Sequence, residues 1–226
     1  MPTILSLETS TKACSVALIR NGEILTNEEL HIEHAHSEKL TILIGGCVAN
    51  AGVSLGEVDA FAVAKGPGSY TGLRIGVATA KGLCFALDKP LIAINTLEAM
   101  AYDISSIYPE NYWLCPMLDA RRMEVYCALY DHQLRIIMPT VAIVMDAQSF
   151  QTQLAQKPIL FFGNGAAKCR DALGKSPNAH FANKVITPSA KAIASLATEV
   201  YQQNLFENAA DLEPFYLKEF VSTAHS

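Results

Sequence analysis

Residues Gly66-Pro67-Gly68-Ser69-Tyr70-Thr71-Gly72-Leu73-Arg74-Ile75-Gly76 have the composition of a phosphate cradle. Ala60 to Ala64 reads as a short buried strand before them, and Val77 to Leu87 reads as a helix after them. Glycine admits close backbone approach that a Cβ would forbid. The open N–H groups at a helix start attract anions. The stretch is not a P-loop, because no Gly-Lys-Ser/Thr ending follows the glycines. The competing reading is a tight strand-to-helix connection whose glycines let the helix lie against the sheet. Isolated glycine motifs arise often without a ligand, and residue types alone favour this second reading.

A second polar turn, Glu8-Thr9-Ser10-Thr11, closes the strand that begins at Thr3. Its hydroxyls suit phosphate oxygens or the turn's own backbone equally well. Glu8, Ser10, Thr11, Gly66, Gly68 and Ser69 are therefore the weak candidates for cofactor binding. No lysine or second acidic loop completes a phosphoryl-transfer site, and the turn reading is preferred. His31, His34 and His36 lie near Glu33 and Glu38, but their spacings of three and two do not gather them on one helical face. No metal site and no catalytic residue is expected. No G-x-S-x-G elbow is present, no cysteine stands in a nucleophile motif, and no histidine can be assigned to Ser69.

The elements that must position these residues follow from periodicity. Thr3 to Glu8, Cys14 to Arg20 and Glu23 to Leu30 read as strands, with Asn21-Gly22 as a hairpin turn. His36 to Ala51 reads as a helix, with Leu40, Leu43, Ile44, Cys47 and Val48 at helical spacing. Leu91 to Ile94 is a strand and Thr96 to Ile104 a helix. In the second half, Leu114 to Leu118, a hairpin of Met123 to Tyr130 with Leu134 to Ile137, and Ile159 to Phe162 read as strands. Ala147 to Ala155, a stretch opened by Gly163-Asn164-Gly165, and Ala190 to Gln203 read as helices. Pattern alone supports an α/β chain.

Two helices carry a further signal. Gly72, Gly76, Ala80 and Cys84 recur every four residues and form a ridge of small side chains that lets a helix approach closely. The first helix is apolar all round, and Ile42, Leu43, Ile44 and Val48 are not expected to share one core. Leu40, Leu43, Ile44, Cys47, Gly72, Gly76, Ala80 and Cys84 are accordingly expected at a partner interface. A bulky residue at Gly76 is expected to abolish association and leave the fold intact.

Composition limits the function classes. Half of the 226 residues are hydrophobic, enough for a sizeable core. The net charge of −5 is spread evenly: residues 1–100 hold seven basic and ten acidic side chains, and 101–226 hold ten and twelve. That balance argues against a protein that holds nucleic acid by itself. Cys14, Cys47, Cys84, Cys115, Cys127 and Cys169 are scattered in apolar segments without a C-x-x-C pair, as expected of small buried hydrophobes in a reducing compartment. The N-terminus lacks a basic n-region and no apolar run reaches membrane-span length, so a soluble cytoplasmic protein is expected.

Gly66 to Gly76 is similar to the GPGSFTGLRIG signature of the TsaB (YeaZ-like) family, with Tyr70 where phenylalanine is usual. The strand pair from Ile4 to Val16, the Asp119-Ala120-Arg121-Arg122-Met123-Glu124-Val125-Tyr126 turn and the Pro214-Phe215-Tyr216-Leu217-Lys218 ending resemble further family landmarks, in family order. His36-Ser37-Glu38 resembles the family's first-helix opening, although Thr41-Ile42 replaces the usual Leu-Pro. Glu8 stands where the family usually has aspartate, in a turn that binds phosphate in actin-like ATPases.

The resemblance implies an actin-like, sugar-kinase-like (ASKHA) duplicated fold with lobes at 1–105 and 106–226. It implies a non-catalytic scaffold or activator that pairs with its paralogue TsaD, with the ATPase TsaE joining them. TsaD transfers a threonylcarbamoyl group from its adenylate to the adenosine beside the anticodon of tRNAs reading codons that begin with A. TsaD's H-x-x-x-H metal pair is missing here. No cofactor is expected on this chain, and ATP belongs to the complex. A homodimer is expected when the partner is absent, and tRNA contact is expected to be indirect. An actin-like ATP-binding enzyme using Glu8 and the Gly66 stretch, or a glycoprotease-type peptidase, remains the alternative.

Overall fold

The computed structural model describes residues 2–32 and 36–217. His34, Glu33 and Lys218 lie outside the described residues. Strands β1 (Thr3–Glu8), β2 (Cys14–Arg20) and β3 (Glu23–Leu30) form an antiparallel meander. Asn21 and Gly22 both adopt positive φ between β2 and β3, which is the geometry their residue types favour. Helix α1 (His36–Asn50) leads to β4 (Ala60–Gly66), α2 (Tyr70–Leu87), β5 (Leu91–Asn95) and α3 (Thr96–Ser105). β4 runs parallel to β1, and β5 runs parallel to β4, giving the order β3-β2-β1-β4-β5.

The second half repeats this plan. β6 (Trp113–Asp119), β7 (Glu124–Tyr130) and β8 (Ile136–Val144) form the meander. α4 (Gln151–Leu154), β9 (Ile159–Phe162), α5 (Arg170–Leu173), β10 (Ala179–Phe181) and α6 (Ala190–Gln202) follow. Read from β8, the sheet order β8-β7-β6-β9-β10 matches the first sheet position for position. The structure extends the sequence reading here. β8 continues through Pro139 to Val144 at a sheet edge, where a missing N–H is tolerated. The helix expected over 147–155 is a single turn, because Asp146 and Ser149 bond each other's backbone in a local turn before it.

The division at residue 105 falls between α3 and β6, but the packing crosses it. α6 covers the first sheet: Ile193, Leu196 and Ala197 pack with Ile4, Ala62 and Ile92. α3 covers the second sheet: Leu97, Met100 and Ile104 pack with Leu114, Leu118 and Phe162. Each half thus lends a helix to the other, and α3 and α6 also touch. The opposite face of the first sheet is covered by α1 and α2. The opposite face of the second sheet carries Phe150, Leu154 and Leu173 from the short helices and loops. All six cysteines are buried and unpaired, as their apolar surroundings in the sequence predicted.

Candidate functional site

Because β1 and β4 are parallel neighbours, the turns that follow them meet at one end of the first sheet. The loop between β4 and α2 is short. Tyr70 already begins the helix, and Ser69 caps it by accepting the Gly72 N–H at 3.3 Å. Gly72 and Gly76 are therefore helical residues and not part of a loop. The two turns interlock: the Ser69 N–H donates to the Ser10 carbonyl at 2.6 Å, and the Thr9 hydroxyl donates to the Gly72 carbonyl at 2.8 Å. A Cβ at Gly68 would stand 2.4 Å from the Ser10 carbonyl oxygen, and one at Gly72 would stand 2.0 Å from the Thr9 carbonyl oxygen. At Gly76 it would meet the Thr9 hydroxyl at 2.2 Å. These glycines hold helix and turn together, as the tight-connection reading requires.

The C-terminal segment completes the closure. Phe215 donates its N–H to the Lys65 carbonyl at 2.7 Å, and its own carbonyl covers Gly66. The Tyr216 ring rests on Tyr70, with centroids 4.9 Å apart. Lys81 holds the same segment through the carbonyls of Ala210 and Leu212, each at 3.1 Å.

Glu8 is fully buried beneath this junction. One carboxyl oxygen accepts the Ser10 N–H at 2.5 Å, and the other has no hydrogen-bond partner. Burial raises its pKa from 4.5 to about 7; bonds from Ser10 pull it back and the Glu29 carboxylate adds to the rise. A buried carboxyl that is about half neutral at pH 7 is a weaker cation ligand than an exposed, fully ionised one. Thr11 uses its hydroxyl locally, accepting the Ala13 N–H at 3.3 Å. The weak cofactor candidates lie at and beside this junction, where the chain's own groups take up the N–H donors: Ser69 N–H bonds the Ser10 carbonyl, Gly72 N–H the Ser69 hydroxyl, and Ser10 N–H the Glu8 carboxyl.

His31 and His36 do not converge. His31 is exposed beside Glu29 at 3.2 Å, whereas His36 is buried with its ring 3.2 Å from the Ala13 carbonyl.

The expected partner residues all turn inward. Leu40, Leu43, Ile44, Cys47, Ala80 and Cys84 lie in the core between α1, α2 and the first sheet, and Gly72 and Gly76 abut Thr9. The four-residue ridge is the face that α2 shows its own sheet. Leu43, Ile44 and Val48 do share one core; Ile42 alone is left out, at 62% exposure. The outward face of α2 carries Ala78, Gly82, Ala86 and Phe85, whose ring is 92% exposed. Gly45 and Ala49 accompany Ile42 on the outside of α1, and a Cβ at Gly45 or Gly82 would meet open space. Ala78-Gly82-Ala86 has the same spacing as the inward ridge. Phe85, one residue beyond the inward Cys84, was the signal in the sequence that distinguished the two faces.

The family model for TsaD, tRNA N6-adenosine threonylcarbamoyltransferase, matches residues 23–221. A tRNA threonylcarbamoyladenosine biosynthesis protein TsaB from Haemophilus influenzae is 34% identical over 97% of this chain and 95% of its own length. The chain belongs to the TsaB family. The structure of YeaZ from Pseudomonas aeruginosa superposes with a TM-score of 0.83 at 28% identity, covering 96% of this chain and all of that one. At 10% identity and a TM-score of 0.54, the activator of the 2-hydroxyisocaproyl-CoA dehydratase from Clostridium difficile shares the fold over 91% of this chain and 98% of its own. The chain therefore has the actin-like (ASKHA) fold, in agreement with its duplicated sheet order.

Proposed function

We propose that this TsaB-family chain serves threonylcarbamoyladenosine formation in tRNA as a scaffold that pairs with a TsaD-type subunit. TsaD then modifies the adenosine beside the anticodon in tRNAs reading codons that begin with A, and TsaE joins the pair. The observation that carries this reading is the outward face of α1 and α2. A phenylalanine ring at 92% exposure and an isoleucine at 62%, set among glycines and alanines, are costly to leave in water. A second actin-like subunit presenting matching helices would cover them, and two copies of this chain would do so when the partner is absent. The interlocked turns at Glu8 and Gly68 support a structural use of that end of the first sheet over catalysis by this chain.

Docking activates the partner only if its active state binds α1 and α2 more tightly than its resting state. Purified chain mixed with TsaD from the same organism is expected to form a heterodimer by size-exclusion chromatography with light scattering. Phe85→Asp should dissociate it and leave the circular dichroism spectrum of the free chain unchanged. A heterodimer that survives both Phe85→Asp and Ile42→Asp would remove this face from the interface.

A further inference from the structure

The connection between β6 and β7 holds a conformation its sequence disfavours. Arg121 and Arg122 both have positive φ, at 70° and 45°. Glycine and asparagine adopt that region readily, and long side chains do so rarely. The turn is held in place from below. Lys168 inserts its ammonium under it, donating to the Arg122 and Glu124 carbonyls at 2.7 Å each and pairing with the Asp119 carboxylate. Asn164 accepts the Asp119 N–H at 2.9 Å, and the Asp119 carboxylate accepts the Arg121 N–H at 3.0 Å. Gly165 permits this closeness, since a Cβ there would meet the Leu118–Asp119 backbone at 2.9 to 3.0 Å.

The clamp fixes the backbone and leaves the two guanidinium groups outside. Both arginines are exposed, and among the described residues no hydrogen bond or ion pair holds either side chain. The Asp119 carboxylate in the turn is already engaged by Lys168. Strained backbone of this kind persists where the surrounding structure over-determines it, and it marks functional positions. Paired guanidinium groups on a rigid turn match the oxygens of phosphodiesters, which accept bidentate bonds from arginine.

We infer that the Arg121–Arg122 turn contacts the phosphate backbone of the RNA substrate when this chain is assembled with its partner. The inference rests on the function proposed above, which supplies the RNA. It also fits the dispersed charge of an acidic chain, because two phosphate contacts add to an RNA site built mainly elsewhere and do not make one alone.

The test uses the assembled heterodimer and unmodified tRNA, with affinity followed by fluorescence anisotropy across a salt series. Arg121→Asn with Arg122→Gly supplies residues that suit the backbone and removes both charges. This double variant should melt a few degrees higher than the native chain and form the heterodimer normally. Its tRNA affinity should fall about tenfold at low salt, with a log–log salt slope shallower by about 2. Arg121→Lys with Arg122→Lys should keep most of the slope.

An unchanged affinity and slope in the charge-removed variant would overturn the inference and leave the scaffold function standing. Loss of the heterodimer in that variant would also overturn it, by assigning the turn to a protein contact. A native chain that pairs with TsaD but whose complex binds no tRNA would overturn it as well. Failure of the native chain to pair at all would bring down the proposed function, and this inference with it.

Discussion

At the scale of single residues, Glu8 and the glycines decide most. Burial lifts the Glu8 carboxyl to about 7 in the fold against 4.5 when exposed. The folded chain therefore binds this proton more tightly than the unfolded chain. Its contribution is fully present below about pH 4.5 and is lost as pH rises through about 7. The loss is on the order of 3 kcal/mol. Urea denaturation across this window should show the decline in the native chain and a flatter profile in Glu8→Gln; equal slopes would mean that Glu8 does not titrate there. The glycines divide by what lies beyond the missing Cβ. Gly72→Ala drives a methyl into the Thr9 carbonyl and should destabilise the fold by about 1–3 kcal/mol or more. Gly82→Ala meets open space on the same helix and should stabilise it by about 0.5–1 kcal/mol. Thermal melts that rank the two the other way would contradict the packing described.

At the scale of elements, α2 has two faces with different duties. Its inward ridge, from Gly72 to Cys84, is fitted to Thr9 and the first sheet. A bulky residue at Gly76 would therefore unfold the contact with Thr9 and would not report on a partner, contrary to the expectation from spacing. Under the proposed function, the outward residues would report on one. Leu73→Ala should cost the free chain about 2–5 kcal/mol, because Leu73 is buried. Phe85→Ser should leave the free chain's melting temperature nearly unchanged, because its ring makes so little use of the core. If Phe85→Ser proved as damaging as Leu73→Ala in the isolated chain, α2 would have no free face. Spacing revealed that α2 had a face of small residues, but two such rows exist on it. The row turned toward the sheet was decided by the Thr9 contact, between residues 63 positions apart.

At the scale of the whole molecule, the exchange of α3 and α6 ties the halves into one cooperative unit. The first sheet needs residues 190–202 to cover Ile4, Ala62 and Ile92, and the second needs residues 96–105 to cover Leu114 and Phe162. A fragment of residues 1–105 should therefore fail to show a cooperative urea transition by itself. Mixing it with residues 106–226 should restore near-ultraviolet circular dichroism. A fragment 1–105 that folds alone would show that the α6 face is dispensable.

The sequence by itself determined the local elements, because alternation, helical spacing and turn residues act over a few positions. The bounds of β1, β2 and β3 coincide with those read from pattern, and α6 differs by one residue. The landmarks from Ile4 to Leu217 likewise sufficed for the family. Long-range closeness was a different matter. That the Ser10 and Ser69 turns interlock, that Glu8 is sealed and partly neutral, that α3 and α6 change halves, and that Lys168 clamps Arg122 all depend on residues far apart in the chain. No periodicity encodes such contacts. They exist only once apolar burial has brought the two sheets and their helices together, and there the outward or inward sense of each side chain is decided.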